Sequence, residues 1–323
     1  VESVWRLAAA LGLGRRQAAS FVGAARADTG RRAATTRRPS RAGSLRLGVL
    51  GPLAVWDDGL PVTLGRGMRQ AVLGLLALYP NTALHREMII DALWGDDPPA
   101  TAVAMIQSYV SRLRRLLAPG QSACLRGGLL ISTGTSYRLR VTADELDQLA
   151  FSNLATCADK ARAAGDVAVA CEGYARALGM WRGEPLADVH VLLTHPALTN
   201  LRQQRAEVVL GYAEAASMAG WHNRVLPHLR QLAHAEPLNE RVRARLMVAL
   251  AGSGQQAAAL HAYEDLRRRL DDELGIRPGA EVADTHMRVL RQQIPAATGV
   301  ARRHRHLGAR AGGTTRLSAA ERL

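Results

Sequence analysis

A chain of 323 residues, 48% hydrophobic, is long enough for two domains with tails, and at 4% aromatic its core must be mostly Leu, Val and Ala. Its net charge of +14 points to an anionic partner. No apolar run approaches the roughly 18 residues of a membrane-spanning helix, and Leu7–Leu13 is too short for a secretory signal, so no membrane and a cytoplasmic, nucleoid-associated location are expected.

The charge is unevenly spread. Residues 1–43 carry nine Arg against two acids, 44–143 ten basic against six acidic, 144–296 seventeen against nineteen, and 297–323 six against one. Basicity therefore lies in both ends and in the second segment, while the third is near neutral, which argues against its being a nucleic-acid module. Residues 1–43 read as a basic disordered arm adding non-specific DNA affinity, with a short helix near 4–11, and 297–323 as a basic disordered tail. Cys124, Cys157 and Cys171 are odd in number and form no CxxC pair, so buried or half-buried thiols in a reducing compartment are expected.

Order begins near Leu45. Leu45, Leu47 and Val49 alternate, Leu53 and Val55 follow, Asp57-Asp58-Gly59 makes a turn, and Val62 and Leu64 return. Arg66–Leu78 reads as a helix with Val72, Leu75, Leu76 and Tyr79 inward, and His85–Trp94 as a second with Met88, Ile89, Leu93 and Trp94 inward. Pro98-Pro99 and Pro119-Gly120 bound a third, Thr101–Leu117, whose stripe is Val103, Ile106, Val110, Leu113 and Leu117. The opposite face holds Ala104, Ser108, Ser111, Arg112 and Arg115, with Gln107 and Arg114 on its flanks, and the helix has no carboxylate. By itself this periodicity fits a core helix with a solvated outer face. Leu129–Ile131 and Tyr137–Val141 around Thr133-Gly134-Thr135-Ser136 then form a β-hairpin. Strands, three helices and a hairpin in that order make a winged helix-turn-helix, in which the third helix enters a DNA major groove and the hairpin is the wing.

Residues 144–296 have no strand pattern. Gly165, Gly220 and Gly254 are followed after five residues by Ala170, Val225 and Ala259, and after nine by Tyr174, Leu229 and Tyr263, which should be buried. The interval from Gly220 to Gly254 is 34 residues, the tetratricopeptide period; the earlier interval of 55 holds an insertion containing Trp181-Arg182-Gly183-Glu184-Pro185-Leu186. Asp271-Asp272-Glu273 is expected to balance Arg267-Arg268-Arg269. The fold class is mainly α, an N-terminal winged helix-turn-helix followed by an all-α tetratricopeptide-like helical domain, over 44–143 and 144–296.

LGPLAVWDDGLPVTLGRGMRQAVLGLLAL, MIIDALWGDDPPATA and IQSYVSRLRRLL resemble the OmpR-type winged helix of the SARP family of antibiotic regulatory proteins. ALGMWRGEPLADV, the stretch from EPLNERV to RPGAE, and MRVLRQQI resemble that family's bacterial transcriptional activator domain. The resemblance, over about 45–296, implies a transcriptional activator of an antibiotic or other secondary-metabolite cluster that binds promoter direct repeats in double-stranded DNA, self-associates there and engages RNA polymerase. It implies DNA-reading roles for Gln107, Ser108, Ser111, Arg112 and Arg115, a phosphate contact for Arg114, wing contacts from Thr133, Thr135 and Arg138, and phosphate contacts from Arg66 and Arg69. Loop Gly95–Pro99 is where family members face polymerase. The wing departs from the family: its tip is Thr133-Gly134-Thr135 rather than Arg-Gly, so no tip Arg enters the minor groove.

No enzyme, cofactor or metal site is expected. His222, His228 and His234 are six apart and scatter around a helix, His304 and His306 lie in the Arg-rich tail, and no GxxxxGK[ST] occurs, so no nucleotide-driven switch is foreseen. A DNA-binding repressor and a peptide-binding scaffold are the alternative readings.

Overall fold

The computed structural model describes residues 45–65, 67–117 and 128–295. The expectations for 1–43, Arg66, Cys124, the stop at Pro119-Gly120 and the tail from 297 lie outside these residues. The described residues form one compact unit. The fold is mainly helical: a winged helix-turn-helix followed by stacked helix pairs.

The unit opens with an antiparallel meander of β1 (Arg46–Gly48), β2 (Ala54–Asp57) and β3 (Leu60–Pro61), in which Leu47 faces Val55 and Asp57 faces Leu60. Three helices follow: α1 (Met68–Leu78), α2 (Arg86–Trp94) and α3 (Ala102–Leu117). Every residue from Ala71 to Leu78 is buried, so α1 is the central rod of this half. A second sheet combines β4 (Ala83–His85), β5 (Leu130–Thr133) and β6 (Ser136–Leu139) in the order β4-β6-β5.

Two expectations change here. His85, expected to open the second helix, instead ends a strand over Ala83–His85, because the backbone there pairs with β6, Ala83 opposite Arg138 and His85 opposite Ser136. Three residues are too few to carry a period. Met88 is 53% exposed and Ile90 is buried in its place, since the buried stripe of α2 runs through Ile89, Ile90 and Leu93 and leaves Met88 on the outer side.

The second half comprises α4 (Asp147–Ala163), α5 (Val167–Leu178), α6 (Pro196–Ala219), α7 (His222–Ala235), α8 (Glu240–Gly252), α9 (Gln256–Leu274) and α10 (Ala280–Leu290). Each helix packs on its neighbours in sequence, and α4 on α6, α6 on α8 and α8 on α10. Gly165, Gly220 and Gly254 sit between the helices of successive pairs with φ of 84°, 69° and 79°. This left-handed backbone, which favours glycine, reverses the chain within two or three residues. Ala170, Val225 and Ala259 are buried in register, as are Tyr174 and Leu229. Burial, with a hydrogen bond to Asp159, pushes the Tyr174 phenol up to about 12. Tyr263 differs: it is half-buried and stacks flat on His286 at 3.8 Å between ring centroids.

The arginines of α9 pair backward along the helix, Arg267 with Glu264, and Arg268 and Arg269 with Asp265. Among the described residues Asp271-Asp272-Glu273 makes no ion pair with them, and only Asp271 adds an electrostatic pull on Arg267; the partners three and four residues upstream lie on the same face. Cys171 is buried as expected, but Cys157 is exposed on α4.

The insertion at 179–195 is a clasp between the halves. Arg182 N–H donates to Leu50 O and Leu186 N–H to Gly51 O, both at 2.7 Å, and Leu53 N–H donates to Asp188 at 2.7 Å. Asp147, first residue of α4, accepts from the N–H groups of Val49 (2.8 Å) and Leu50 (3.0 Å), and Arg182 lies 3.4 Å from its carboxylate. Burial raises the Asp147 pKa, opposed by these hydrogen bonds and by Arg182. The short 3₁₀ turn His190–Leu192 packs on α1 and α2.

Candidate nucleic-acid interface

Helix α3 buries Ala102, Ile106, Val110, Leu113 and Leu117, a stripe at steps of three and four residues. That stripe fixes the helix's rotation, so the opposite face must look outward. Ala104, Gln107, Ser108, Ser111, Arg112 and Arg115 are all exposed there. The first turn holds no acid and the last holds Arg114 and Arg115, which the helix dipole favours. Among the described residues neither Arg112 nor Arg115 has an ion-pair partner. The face therefore offers two uncommitted guanidiniums, one carboxamide and two hydroxyls. Guanidinium suits guanine O6 and N7, carboxamide suits adenine, and serine accepts or donates.

Arg114 is placed differently from its expected phosphate contact. Its Nε donates to Leu130 O at 3.0 Å and its Nη2 to the Ser132 hydroxyl. The guanidinium braces the wing strand against α3, because its flank position faces β5 rather than solvent.

The wing is held at its tip as well. Gly134 takes φ 58° as first central residue of the two-residue turn between Thr133 and Ser136. Nδ1 of His85 caps α2 by accepting the Glu87 N–H at 3.3 Å. The ring proton then sits on Nε2, which donates to the Thr135 hydroxyl at 2.7 Å. Arg86 N–H donates to Thr135 O at 2.9 Å. Thr135 is thus an anchor between wing and helix as well as an exposed tip residue; the pairing was invisible in sequence because 50 residues separate its partners. Thr133 and Arg138 are exposed, Arg138 alternating with buried Tyr137 and Leu139 on the outer face of β6.

Arg69 is half-buried. Its guanidinium lies over Gly65, and its Nε is buried without a hydrogen-bond partner. It therefore does not project freely, as a phosphate clamp would. Loop Gly95–Pro99 is exposed from Gly95 to Pro98 and carries Asp96 and Asp97. In the second half a groove of about 780 Å³ runs between α4 and α6, lined by both apolar and polar side chains, among them Phe151, Val208, Asp159, Asn200 and Glu207.

These two halves correspond to two known domains. Residues 62–137 match the C-terminal domain of transcriptional regulatory proteins, and residues 146–290 match the bacterial transcriptional activator domain. The regulatory protein DnrI of Streptomyces peucetius is 32% identical over 271 residues, covering 80% of this chain and 99% of DnrI. The chain belongs to the SARP family of transcriptional regulators. Another relative, regulatory protein AfsR of Streptomyces coelicolor, is 37% identical over 83% of this chain, but the match spans only 27% of AfsR. A solved structure of Mycobacterium tuberculosis EmbR, in complex with a low-affinity phosphopeptide, superposes with a TM-score of 0.70 at 34% identity, over 79% of this chain and 67% of that one. SARP proteins are regulators rather than enzymes. No helix among the described residues is long and apolar enough to cross a membrane.

Proposed function

We propose that this SARP-family regulator is a sequence-specific DNA-binding activator of a secondary-metabolite gene cluster, acting in the cytoplasm at the nucleoid. The carrying observation is the outer face of α3, which is exposed along its length, free of carboxylate and bears unpaired Arg112 and Arg115. Gln107, Ser108, Ser111, Arg112 and Arg115 read base edges in the major groove. Thr133 and Arg138 approach the flanking backbone from the wing, while Arg114 and Thr135 set the wing's angle to α3. Arg66, two positions before α1 in sequence, adds a phosphate contact, and Arg69 supports the loop before α1.

In this reading the operator is a pair of promoter direct repeats, on which two copies bind head to tail rather than as a two-fold dimer. The exposed loop Gly95–Pro99 and the near-neutral helical half are offered to RNA polymerase. Footprinting upstream of the neighbouring biosynthetic genes, followed by transcription in vitro, tests this reading. Protection of two repeats with increased transcript supports it; protection with decreased transcript makes the protein a repressor. No protection of any upstream duplex in low salt removes DNA binding and leaves the interaction scaffold.

A further inference from the structure

Away from the DNA-facing surface, α7, α8 and α9 meet around a cavity of about 360 Å³. Its polar lining is Arg230 and His234 from α7, Arg243 from α8, and Asp265 and Arg269 from α9, over a floor of Ala233, Pro237 and Leu246. Three guanidiniums thus face one carboxylate. Asp265 is also shared, lying 3.0 Å from Arg268, 3.4 Å from Arg269 and 3.5 Å from Arg243.

Arg230 and Arg269 are exposed; Arg243 is the buried one of the three. It is only 8% exposed, its Nε is buried with no hydrogen-bond partner, and its single ion pair is the long one to Asp265. It also stands in the first turn of α8, where the helix dipole disfavours a cation. The acid of that turn, Glu240, is turned away to accept the Gly279 N–H. Burial lowers the Arg243 pKa, with Asp265 opposing and Arg269 adding to the shift. A buried cation without full pairing is costly, and an oxyanion would supply the missing acceptors.

We propose that this cavity is a binding site for a small molecule carrying a phosphate group. The dianion would accept from the guanidinium forks of Arg243, Arg230 and Arg269, with Arg230 exchanging its 3.0 Å hydrogen bond to Gln255 for the ligand, a geometry that guanidinium matches to phosphate. The apolar floor leaves room for an organic substituent, since small-molecule sites combine an apolar lining with a few convergent polar groups. Such a ligand would tie α7, α8 and α9 together and stiffen the helical half. This site is independent of the DNA reading, because it uses no residue of α3 or the wing.

The test is calorimetric titration of the full chain with inorganic phosphate and, separately, with glycerol 3-phosphate, at constant ionic strength. Saturable binding is expected, weakened about tenfold or more in Arg243→Gln and about threefold or more in Arg230→Ala and Arg269→Ala. Arg267→Ala, outside the cavity, should leave it unchanged. Tighter binding of glycerol 3-phosphate assigns the site to an organic phosphate, and tighter binding of inorganic phosphate to the free ion. Absence of saturable binding by either probe, or equal affinity in Arg230→Ala and Arg269→Ala, overturns the proposal. Those two exposed positions decide the matter if Arg243→Gln fails to fold.

Discussion

Arginines in the two halves of the molecule do different work. On α3, Arg112 and Arg115 stand in solvent without an acidic partner. On the helical half, Arg162 and Arg245 share Glu214, Arg202 meets Glu184, Arg241 meets Glu207, and the run at 267–269 pairs along its own helix. A cation already paired has little left for phosphate, whereas an unpaired one keeps its full field. Net charge by segment anticipates this contrast, but the pairing explains it: the outer face of α3 keeps its cations unpaired, whereas most cations on the helical half are balanced by nearby carboxylates, the cluster around Arg243 apart.

The largest effect should come from cutting the link between the halves. Asp147→Ala leaves the N–H groups of Val49 and Leu50 and the Arg182 guanidinium without their acceptor. A loss of about 3 kcal/mol in urea-unfolding free energy is expected. A loss below about 1 kcal/mol would mean the clasp does not unite the halves.

Next is the open surface. Arg112→Ala should cost about 1–3 kcal/mol at the cognate duplex in fluorescence anisotropy, with little change on scrambled DNA. Equal binding of variant and wild type to both duplexes would remove its base-reading role. Arg114→Ala should instead cost about 1 kcal/mol of stability and speed amide exchange in β5, because its hydrogen bonds end on Leu130 and Ser132. A purely DNA-dependent phenotype would return it to the phosphate backbone.

Histidines of the helical half should make stability depend on pH. Burial lowers the pKa of His222 below the ordinary 6.5; it does the same for His228, with Arg205 adding to the shift, and for His195, where Asp91 opposes it. A lowered imidazole pKa means the unfolded chain binds more protons, so this stability is present above 6.5 and is lost as pH falls from there through the folded values. The thermal midpoint should therefore drop between pH 7 and 5, and less so in His222→Gln. A midpoint that rises on acidification would contradict this. The smallest effect is expected for Arg241→Ala on the paired surface: about 0.2–1 kcal/mol at most, since its bridge to Glu207 is exposed, and no change in DNA binding.

Much of this architecture was legible in the sequence because it depends on local periods. Ile106, Val110, Leu113 and Leu117 define one helical stripe, and that stripe alone dictates that Ser108, Arg112 and Arg115 face outward. The Asp58-Gly59 turn, with φ of 49° and 80°, and the repeat glycines are likewise local chemistry. Tertiary structure decided what those exposed and flanking groups can do. Arg114 became a brace because β5 returns beside α3, Thr135 an anchor because β4 brings His85 to the wing tip, and Asp147 a clasp because α4 starts against β1. A stripe of apolar side chains is written in spacings of three and four residues. A hydrogen bond between residues 16, 50 or 98 positions apart has no such signature, because only the folded chain sets the distance between its partners.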